Sequence, residues 1–174
     1  MMILITGGSA CGKSAYAESL CMTAPLPRYY LAAMRPAGEE GAQKVKRHRA
    51  LRDGKSFETI ERYTDYAALH LPARGTALLE CICNLTANEM FDESGNRSDP
   101  CERVLAGVDA LAAQCGLLVI VTNDVGSDIR TYEEGTAAYI RCLGRINAAL
   151  AAKADTVIEM VAGIPLVIKG VLPA

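Results

Sequence analysis

The chain lacks the features that mark several common classes of protein. No apolar run in its 174 residues approaches the roughly 20 residues that a membrane-spanning helix needs. Residues 1–5 are too short for a secretory signal sequence and have no basic residues before them. The formal net charge of −2 gives no support for nonspecific binding of nucleic acid over the whole surface. We therefore expect no membrane span, no secretory leader and no nucleic-acid partner.

Cysteine spacings typical of metal sites are also missing. The seven cysteines include no Cys-x-x-Cys pair, and no histidine lies near them at ligand spacing. Cys81 and Cys83 are two residues apart, and we expect them on opposite faces of a strand. An odd number of cysteines in this arrangement disfavours both a zinc site and a disulfide framework. The pattern indicates reduced thiols and a cytoplasmic protein.

Apolar residues, in contrast, are abundant. They make up 51% of the sequence against 22% charged residues, which is typical of a globular protein. No internal repeat is evident, and no change of composition marks a linker. At this length we expect residues 1–174 to form a single domain.

The amino-terminal segment MMILITGGSACGKS contains the phosphate-loop pattern Gly-x-x-x-x-Gly-Lys-Ser. An apolar run at 3–5 predicts a strand before the loop, and residues 15–20 predict a helix after it. In such a loop the backbone N–H groups and the helix N-terminus attract phosphate oxygens. Lys13 then reaches the β- and γ-phosphates, and the Ser14 hydroxyl binds Mg²⁺. The predicted phosphate-binding residues are Gly7, Gly8, Ser9, Ala10, Cys11, Gly12, Lys13 and Ser14.

Strand and helix patterns alternate along the rest of the chain. Further strands are predicted at 29–33, 57–61, 76–82, 117–122, 156–161 and 166–168, and helices at 38–52, 63–71, 85–93, 102–114 and 131–153. Residues 94–100 are predicted to form a polar loop, and 163–165 a tight hairpin turn. This alternation predicts a mostly parallel sheet covered on both faces, with antiparallel strands at its end. Ligands of such sheets bind at the carboxyl ends of the strands.

Two acidic residues lie at the ends of predicted buried strands: Glu80 is near the end of one, and Asp124 follows another. We interpret Glu80 as the second acidic group of a phosphate-loop protein, which holds Mg²⁺ directly or through water. The alternatives are a core carboxylate paired with Lys or Arg, and a base. Asp124, in VTNDVG, is either a turn or cap residue or a group that faces the reacting end of the nucleotide.

A histidine lies within the predicted basic helix. Lys44, His48 and Arg52 have the spacing of one helix face. Histidines in such helices are commonly only solvated. The alternative is attack by the imidazole on an α-phosphorus, with the cations stabilising the pyrophosphate that leaves. A nucleic-acid patch is disfavoured because no aromatic residue interrupts the basic run. We interpret His70 as an ordinary surface or packing residue.

Several segments occur in the order of one known family and span nearly the whole chain. They are MMILITGGSACGKS, YYLAA, K-V-x-x-His48-Arg49-x-x-Arg52, F-x-T-I-Glu61, LLECICNLTAN, IVTNDVG, GRIN and AD-x-V-x-x-x-V-x-G-I-P. In these the chain resembles the bifunctional adenosylcobinamide kinase/adenosylcobinamide-phosphate guanylyltransferase family of cobalamin biosynthesis. The resemblance implies a RecA-like phosphate-loop fold and a homotrimer.

The resemblance also implies two reactions that use Mg²⁺. The γ-phosphoryl group of ATP or GTP passes to the hydroxyl of adenosylcobinamide, and GMP then passes from GTP through a guanylyl-histidine to give adenosyl-GDP-cobinamide. His48 matches the guanylylated histidine, and with Lys13 and Glu80 it makes up the expected catalytic set. The expected nucleotide-binding residues outside the phosphate loop are Leu31, Ala32, Ala33, Arg49, Arg52, Glu61 and Glu80.

The chain departs from the family pattern at a few places. The residues at 127–131 and 133–141 differ from those usual in the family, Asp124 replaces a glutamate and Phe57 replaces a tryptophan. These differences concern the corrinoid side more than the nucleotide side. Two other functions stay open: a small-molecule kinase in which His48 only contacts substrate phosphate, and a nucleotide-binding regulatory module without catalysis.

Overall fold

The sheet at the centre of the molecule contains seven strands within the described residues. The computed structural model describes residues 1–36, 54–91, 98–126 and 130–172. The strands are β1 (Met2–Gly7), β2 (Arg28–Ala32), β3 (Phe57–Glu61), β4 (Gly75–Glu80), β5 (Cys115–Val121), β6 (Thr156–Val161) and β7 (Ile164–Lys169). Their order is β3-β2-β4-β5-β1-β6-β7. All neighbours are parallel except β6 and β7, which confirms the predicted mostly parallel sheet with an antiparallel end.

Helices cover both faces of this sheet. They are α1 (Lys13–Thr23), α2 (Ile82–Met90), α3 (Cys101–Gln114) and α4 (Glu134–Lys153). Successive side chains of a strand point to opposite faces. Ile3, Leu4 and Ile5 are all buried, so β1 is covered on both sides. This explains why the central strands are continuous apolar runs with no alternation of polar residues.

The strand order brings three strand ends together. β5 lies between β1 and β4, and Val121 at its end is the register partner of both Ile5 and Glu80. The loop after β1 therefore lies near Glu80, although 66 residues separate Ser14 from Glu80 in the sequence. The parallel topology thus brings these distant parts of the chain together at one edge of the sheet.

Several predicted elements need correction. The helix predicted at 63–71 is only a short 3₁₀ turn, Tyr66–Ala68. Asp65 before it has a left-handed backbone, and the Arg62 side chain donates hydrogen bonds to the Thr64 and Asp65 carbonyls. These local bonds replace the helical ones. The hairpin turn lies at 162–163, since Ile164 and Pro165 already pair with β6.

The strand predicted at 76–82 ends at Glu80. Ile82 instead begins α2, three residues before the predicted helix start at 85. An apolar run does not by itself distinguish a buried strand from the first turn of a buried helix. The expected placement of Cys81 and Cys83 on opposite faces of a strand is therefore wrong. Cys83 lies in α2, and two residues at this spacing in a strand would share one face.

Other boundaries agree to within a few residues. The strands at 57–61 and 156–161 are as predicted, and the predicted helices at 102–114 and 131–153 correspond to α3 and α4. The predicted helix at 38–52 and most of the loop at 94–100 lie outside the described residues. None of the helices built from the described residues combines the length and apolar character that crossing a bilayer requires.

Two helical glycines offer a matched test of the packing. A β-carbon on Gly107 of α3 would lie 2.8 Å from Cβ of buried Tyr66, whereas one on Gly144 of α4 meets no atom within 4 Å. Gly144→Ala is expected to raise the free energy of unfolding by about 0.5–1 kcal/mol, because alanine loses less backbone entropy. Gly107→Ala is expected to lower it by about 1–2 kcal/mol through overpacking. Urea denaturation measures both, and stabilisation by both substitutions would contradict the packing described for α3.

Candidate active site

The phosphate loop joins β1 to α1 and has a backbone that requires glycine at both ends of its pattern. Gly7 has a φ of 139°, and a β-carbon there would lie 2.5 Å from the Met160 carbonyl oxygen. Gly12 has a φ of 95°, in the left-handed region. A residue with a side chain would be strained at either position. The loop therefore passes close to β6, and the amide of Gly163 donates to the Cys11 carbonyl at 3.2 Å.

The N-terminus of α1 is suited to an anion. The helix begins at Lys13, and its whole first turn lies among the described residues. It has no capping side-chain hydrogen bond and no acidic residue in that turn. The first N–H groups of a helix have no partner within the helix, and the helix dipole favours negative charge there. A phosphate group bound at this end would satisfy both the amides and the dipole.

The Lys13 side chain lies inside the loop. It is buried, and its Nζ donates to the Gly7 carbonyl at 2.9 Å and also to the Gly8 carbonyl. Cys11 Sγ lies 3.7 Å from the same nitrogen. The structure thus places an ammonium group, loop amides and a helix N-terminus around one small volume.

Glu80 and Ser14 are in direct contact. The Ser14 hydroxyl donates to Glu80 Oε1 at 2.5 Å, across the two strand ends that flank β5. Mg²⁺ in phosphoryl-transfer sites is bound by oxygen atoms, commonly one or two carboxylates together with substrate phosphates. A hydroxyl and a carboxylate at the edge of a phosphate loop fit that ion. The structure thus brings together the two residues for which the sequence predicts a magnesium role.

The end of β5 adds polar groups to this edge of the sheet, and the sequence did not predict their partners. Asn123 donates to Cys83 Sγ from its backbone at 3.3 Å and from its side chain at 3.5 Å. The Thr122 hydroxyl donates to Asn147 Oδ1 of α4 at 2.7 Å. The Tyr139 hydroxyl, also on α4, donates to the Cys83 carbonyl at 3.1 Å. These bonds join α2 and α4 to the strand end beside the phosphate loop.

Cys81 and Cys83 are neighbouring buried thiols at the start of α2. The adjacent Cys81 thiol lowers the pKa of Cys83 to about 6, against the effect of burial and with further contributions from Asn123 and Thr122. The same pairing, together with burial, raises the pKa of Cys81 well above its usual value. The sequence contains no signal for this pair beyond its spacing, which suggested a strand. All seven cysteines carry free thiols.

A buried ion pair was also not predicted. Glu18 of α1 is only 4% exposed, and its carboxylate accepts a hydrogen bond from Lys55, which lies just before β3. The two residues are 37 positions apart. No spacing rule links them, because the contact depends on where β3 lies relative to α1.

The other predicted site residues lie at the same edge of the sheet or outside the described residues. Ala32 at the end of β2 is the register partner of both Glu61 and Glu80, and the Ala33 amide donates to the Glu80 carbonyl at 3.0 Å. Leu31 is fully buried. His70 is exposed, as expected for a surface residue. The remaining predicted residues, His48, Arg49 and Arg52, lie outside the described residues.

The match to a protein family decides which kind of phosphate-loop protein this is. The model of the family described as "Cobinamide kinase / cobinamide phosphate guanyltransferase" matches residues 3–168. The chain belongs to this family. It is accordingly an enzyme, a kinase and a nucleotidyltransferase, as the resemblance implied.

Curated relatives agree with this assignment over nearly their whole length. The chain is 34% identical to "Bifunctional adenosylcobalamin biosynthesis protein CobU" of Escherichia coli K12, with 97% of the chain and 100% of the relative covered. It is 35% identical to the protein of the same name from Salmonella typhimurium LT2, with the same coverage. A protein named CobP from Pseudomonas aeruginosa is 27% identical, with 98% of each chain covered.

A solved structure supports the fold independently. The chain of a structure titled "Structural and biochemical analysis of a prototypical ATPase from the type III secretion system of pathogenic bacteria" superposes with a TM-score of 0.53 at 12% identity. The match covers 92% of this chain and 51% of the ATPase chain. At this identity the similarity concerns the fold alone, and it agrees with the predicted α/β fold with its mostly parallel sheet.

Proposed function

We propose that this chain phosphorylates adenosylcobinamide with ATP or GTP and then transfers GMP from GTP to the product through a guanylyl-His48 intermediate. The final product is adenosyl-GDP-cobinamide. The observation that supports this most directly is the contact between Ser14 and Glu80 at 2.5 Å beside the phosphate loop that contains Lys13. Membership of the kinase and guanyltransferase family supports the combination of the two reactions.

In the first reaction the residues 7–14 hold the triphosphate. Their amides and the N-terminus of α1 bind the phosphate oxygens, and Lys13 neutralises charge on the β- and γ-phosphates. Ser14 and Glu80 would hold Mg²⁺, which when bound neutralises the charge that develops on the phosphate oxygens. The acceptor hydroxyl attacks the γ-phosphorus, and the nucleoside diphosphate leaves. Catalysis depends mainly on positioning and charge stabilisation.

In the second reaction a nitrogen of His48 attacks the α-phosphorus of GTP, and the bond to the β-phosphate oxygen breaks to release pyrophosphate. The phosphate of the first product then attacks the same phosphorus and displaces the imidazole. We propose that Arg49, Arg52 and Glu61 contact the guanine nucleotide and that Leu31, Ala32 and Ala33 line its site. The adjacent ends of β3, β2 and β4 support this, because they place Glu61, Ala32 and Glu80 in a row.

Incubation with α-labelled GTP and Mg²⁺ tests the guanylyl-histidine. The wild-type chain is expected to acquire label that is labile in acid and stable in alkali, as a phosphoramidate is. His48→Ala is expected to abolish the label. His70→Ala is the matched control, since His70 is the other histidine of the chain and is exposed, and it should label as the wild type does.

Absence of label on the wild-type chain would remove the transferase mechanism. Product analysis then separates the remaining functions. Conversion of adenosylcobinamide to its phosphate without a GDP-linked product would identify a small-molecule kinase. Nucleotide binding without turnover or label would identify a regulatory module.

We also propose that the chain is a single domain and is cytoplasmic. We propose further that it assembles as a homotrimer through the exposed face of the edge strand β7. Ile164 and Ile168 are each 61% exposed, and Leu166, which lies between them on the same face of the strand, is also exposed. Exposed apolar residues on an edge strand are a common feature of protein interfaces. Sedimentation equilibrium should give three times the 18.5 kDa chain mass, and a monomer would contradict the assembly.

A further inference from the structure

The chain that leaves β5 enters the candidate site between the phosphate loop and Glu80. β5 lies between β1, which leads into the phosphate loop, and β4, which ends at Glu80. The ladder between β1 and β5 continues beyond the strands, with the Thr122 amide donating to Ile5 at 2.9 Å. The residues that follow Thr122 therefore emerge beside the bound triphosphate of the proposed function.

Asp124 is held next to Lys13 by a shared hydrogen-bond acceptor. The carbonyl oxygen of Gly7 accepts from Lys13 Nζ at 2.9 Å and from the Asp124 amide at 3.2 Å. The Asp124 backbone thus lies one hydrogen bond from the start of the phosphate loop. This contact uses the backbone, so it leaves the carboxylate available for another role.

The Asp124 carboxylate is exposed at this edge, and no hydrogen bond or ion pair joins it to another described residue. The polar groups next to it, in contrast, have hydrogen-bond partners. Glu80 accepts the hydrogen bond of Ser14, and both donors of Asn123 reach Cys83. Transfer of a phosphoryl group to a hydroxyl requires that the hydroxyl lose its proton, and a carboxylate within hydrogen-bond reach is the usual acceptor.

We propose that Asp124 is the general base of the kinase reaction. This inference rests on the proposed function. As the acceptor hydroxyl oxygen bonds to the γ-phosphorus, its proton passes to the Asp124 carboxylate. The bond between the γ-phosphorus and the bridging oxygen breaks, and its electron pair leaves with the nucleoside diphosphate. Asp124 has no part in the guanylyl transfer, where the acceptor is already a phosphate anion.

The two half-reactions can be measured separately. Phosphorylation is followed with adenosylcobinamide and ATP, and guanylyl transfer with GTP and adenosylcobinamide phosphate prepared beforehand. Asp124→Asn is expected to lower kcat of phosphorylation by about a hundredfold, with KM for the nucleotide unchanged. Guanylyl transfer by the same variant should stay within about threefold of the wild type, since no base acts there.

Two further variants distinguish a base from a structural residue. Asp124→Glu keeps a carboxylate and is expected to retain phosphorylation within about tenfold of the wild type. Glu159→Gln removes a carboxylate from β6, the strand on the other side of β1, and should leave both half-reactions unchanged. Thermal unfolding of each variant shows whether the fold is intact.

Three outcomes would overturn the inference that Asp124 is the base. Phosphorylation by Asp124→Asn at the wild-type rate shows that the carboxylate accepts no proton. A parallel fall of both half-reactions shows a structural role in place of a base. Wild-type chain that phosphorylates no adenosylcobinamide removes the proposed kinase reaction itself, and the base with it. The inference is supported if Asp124→Asn loses phosphorylation alone and Asp124→Glu recovers it.

Discussion

Replacement of Lys13 by alanine is expected to lower kcat/KM for adenosylcobinamide phosphorylation by about a thousandfold, the upper part of the range for removing one donor to a transition-state oxyanion. The ammonium group lies buried within the loop and is the only cation in residues 7–14. Its positive charge is needed most when negative charge moves onto the β–γ bridging oxygen. Steady-state kinetics with ATP as the varied substrate measure the effect.

Two controls separate catalysis from folding in this experiment. Lys13 also donates to the Gly7 and Gly8 carbonyls, so its loss is expected to cost about 1–2 kcal/mol of stability. Denaturation of Lys13→Ala shows whether the chain stays folded at the assay temperature. Ser19→Ala changes an exposed residue of α1 outside the loop without changing charge, and should keep phosphorylation within about threefold of the wild type. A fall of less than tenfold in Lys13→Ala would contradict the role assigned to the lysine.

Removal of Lys55 is expected to have the largest effect on stability. Lys55→Met leaves the Glu18 carboxylate, which is 5% exposed at its side chain, without its cation. Breaking a buried pair from one side typically costs about 3–5 kcal/mol. We expect about 3 kcal/mol, the lower end, because the Lys55 side chain is 30% exposed and already partly hydrated. For a chain of this size that corresponds to a decrease in Tm of about 6–12 °C.

Two comparisons test whether the burial of Glu18 causes the loss of stability in Lys55→Met. The double variant Glu18→Met/Lys55→Met removes both charges and should recover most of the lost stability, since an apolar pair has no desolvation cost. Lys153→Met breaks an exposed pair with Asp109, in which the side chains are 42% and 55% exposed. That change should cost less than about 1 kcal/mol. Equal losses in Lys55→Met and Lys153→Met would show that burial does not strengthen the first pair.

Local patterns predicted the fold class because its elements follow from the sequence of each segment. The central strands are apolar throughout, since both faces of the sheet are covered, and the phosphate loop has a fixed spacing of glycine, lysine and serine. Errors arose where an apolar run continued from strand into helix, as at 76–82, and where local side-chain bonds replaced a helix, as at 63–71. Residue spacing shows neither where a buried strand passes into a buried helix nor where side-chain hydrogen bonds replace a helix.

Short stretches of the sequence predict the phosphate loop and the alternation of strands and helices, because glycine geometry and apolar periodicity act over a few residues. The family was indicated separately, by the resemblance of several motifs along the chain. The tertiary structure decided which distant groups meet: Ser14 with Glu80, Lys55 with Glu18, Cys83 with Asn123, and the Asp124 amide with Gly7. These contacts depend on strand order and register, in particular the placement of β5 between β1 and β4. That order results from how the whole chain buries its apolar faces, so no single segment specifies it.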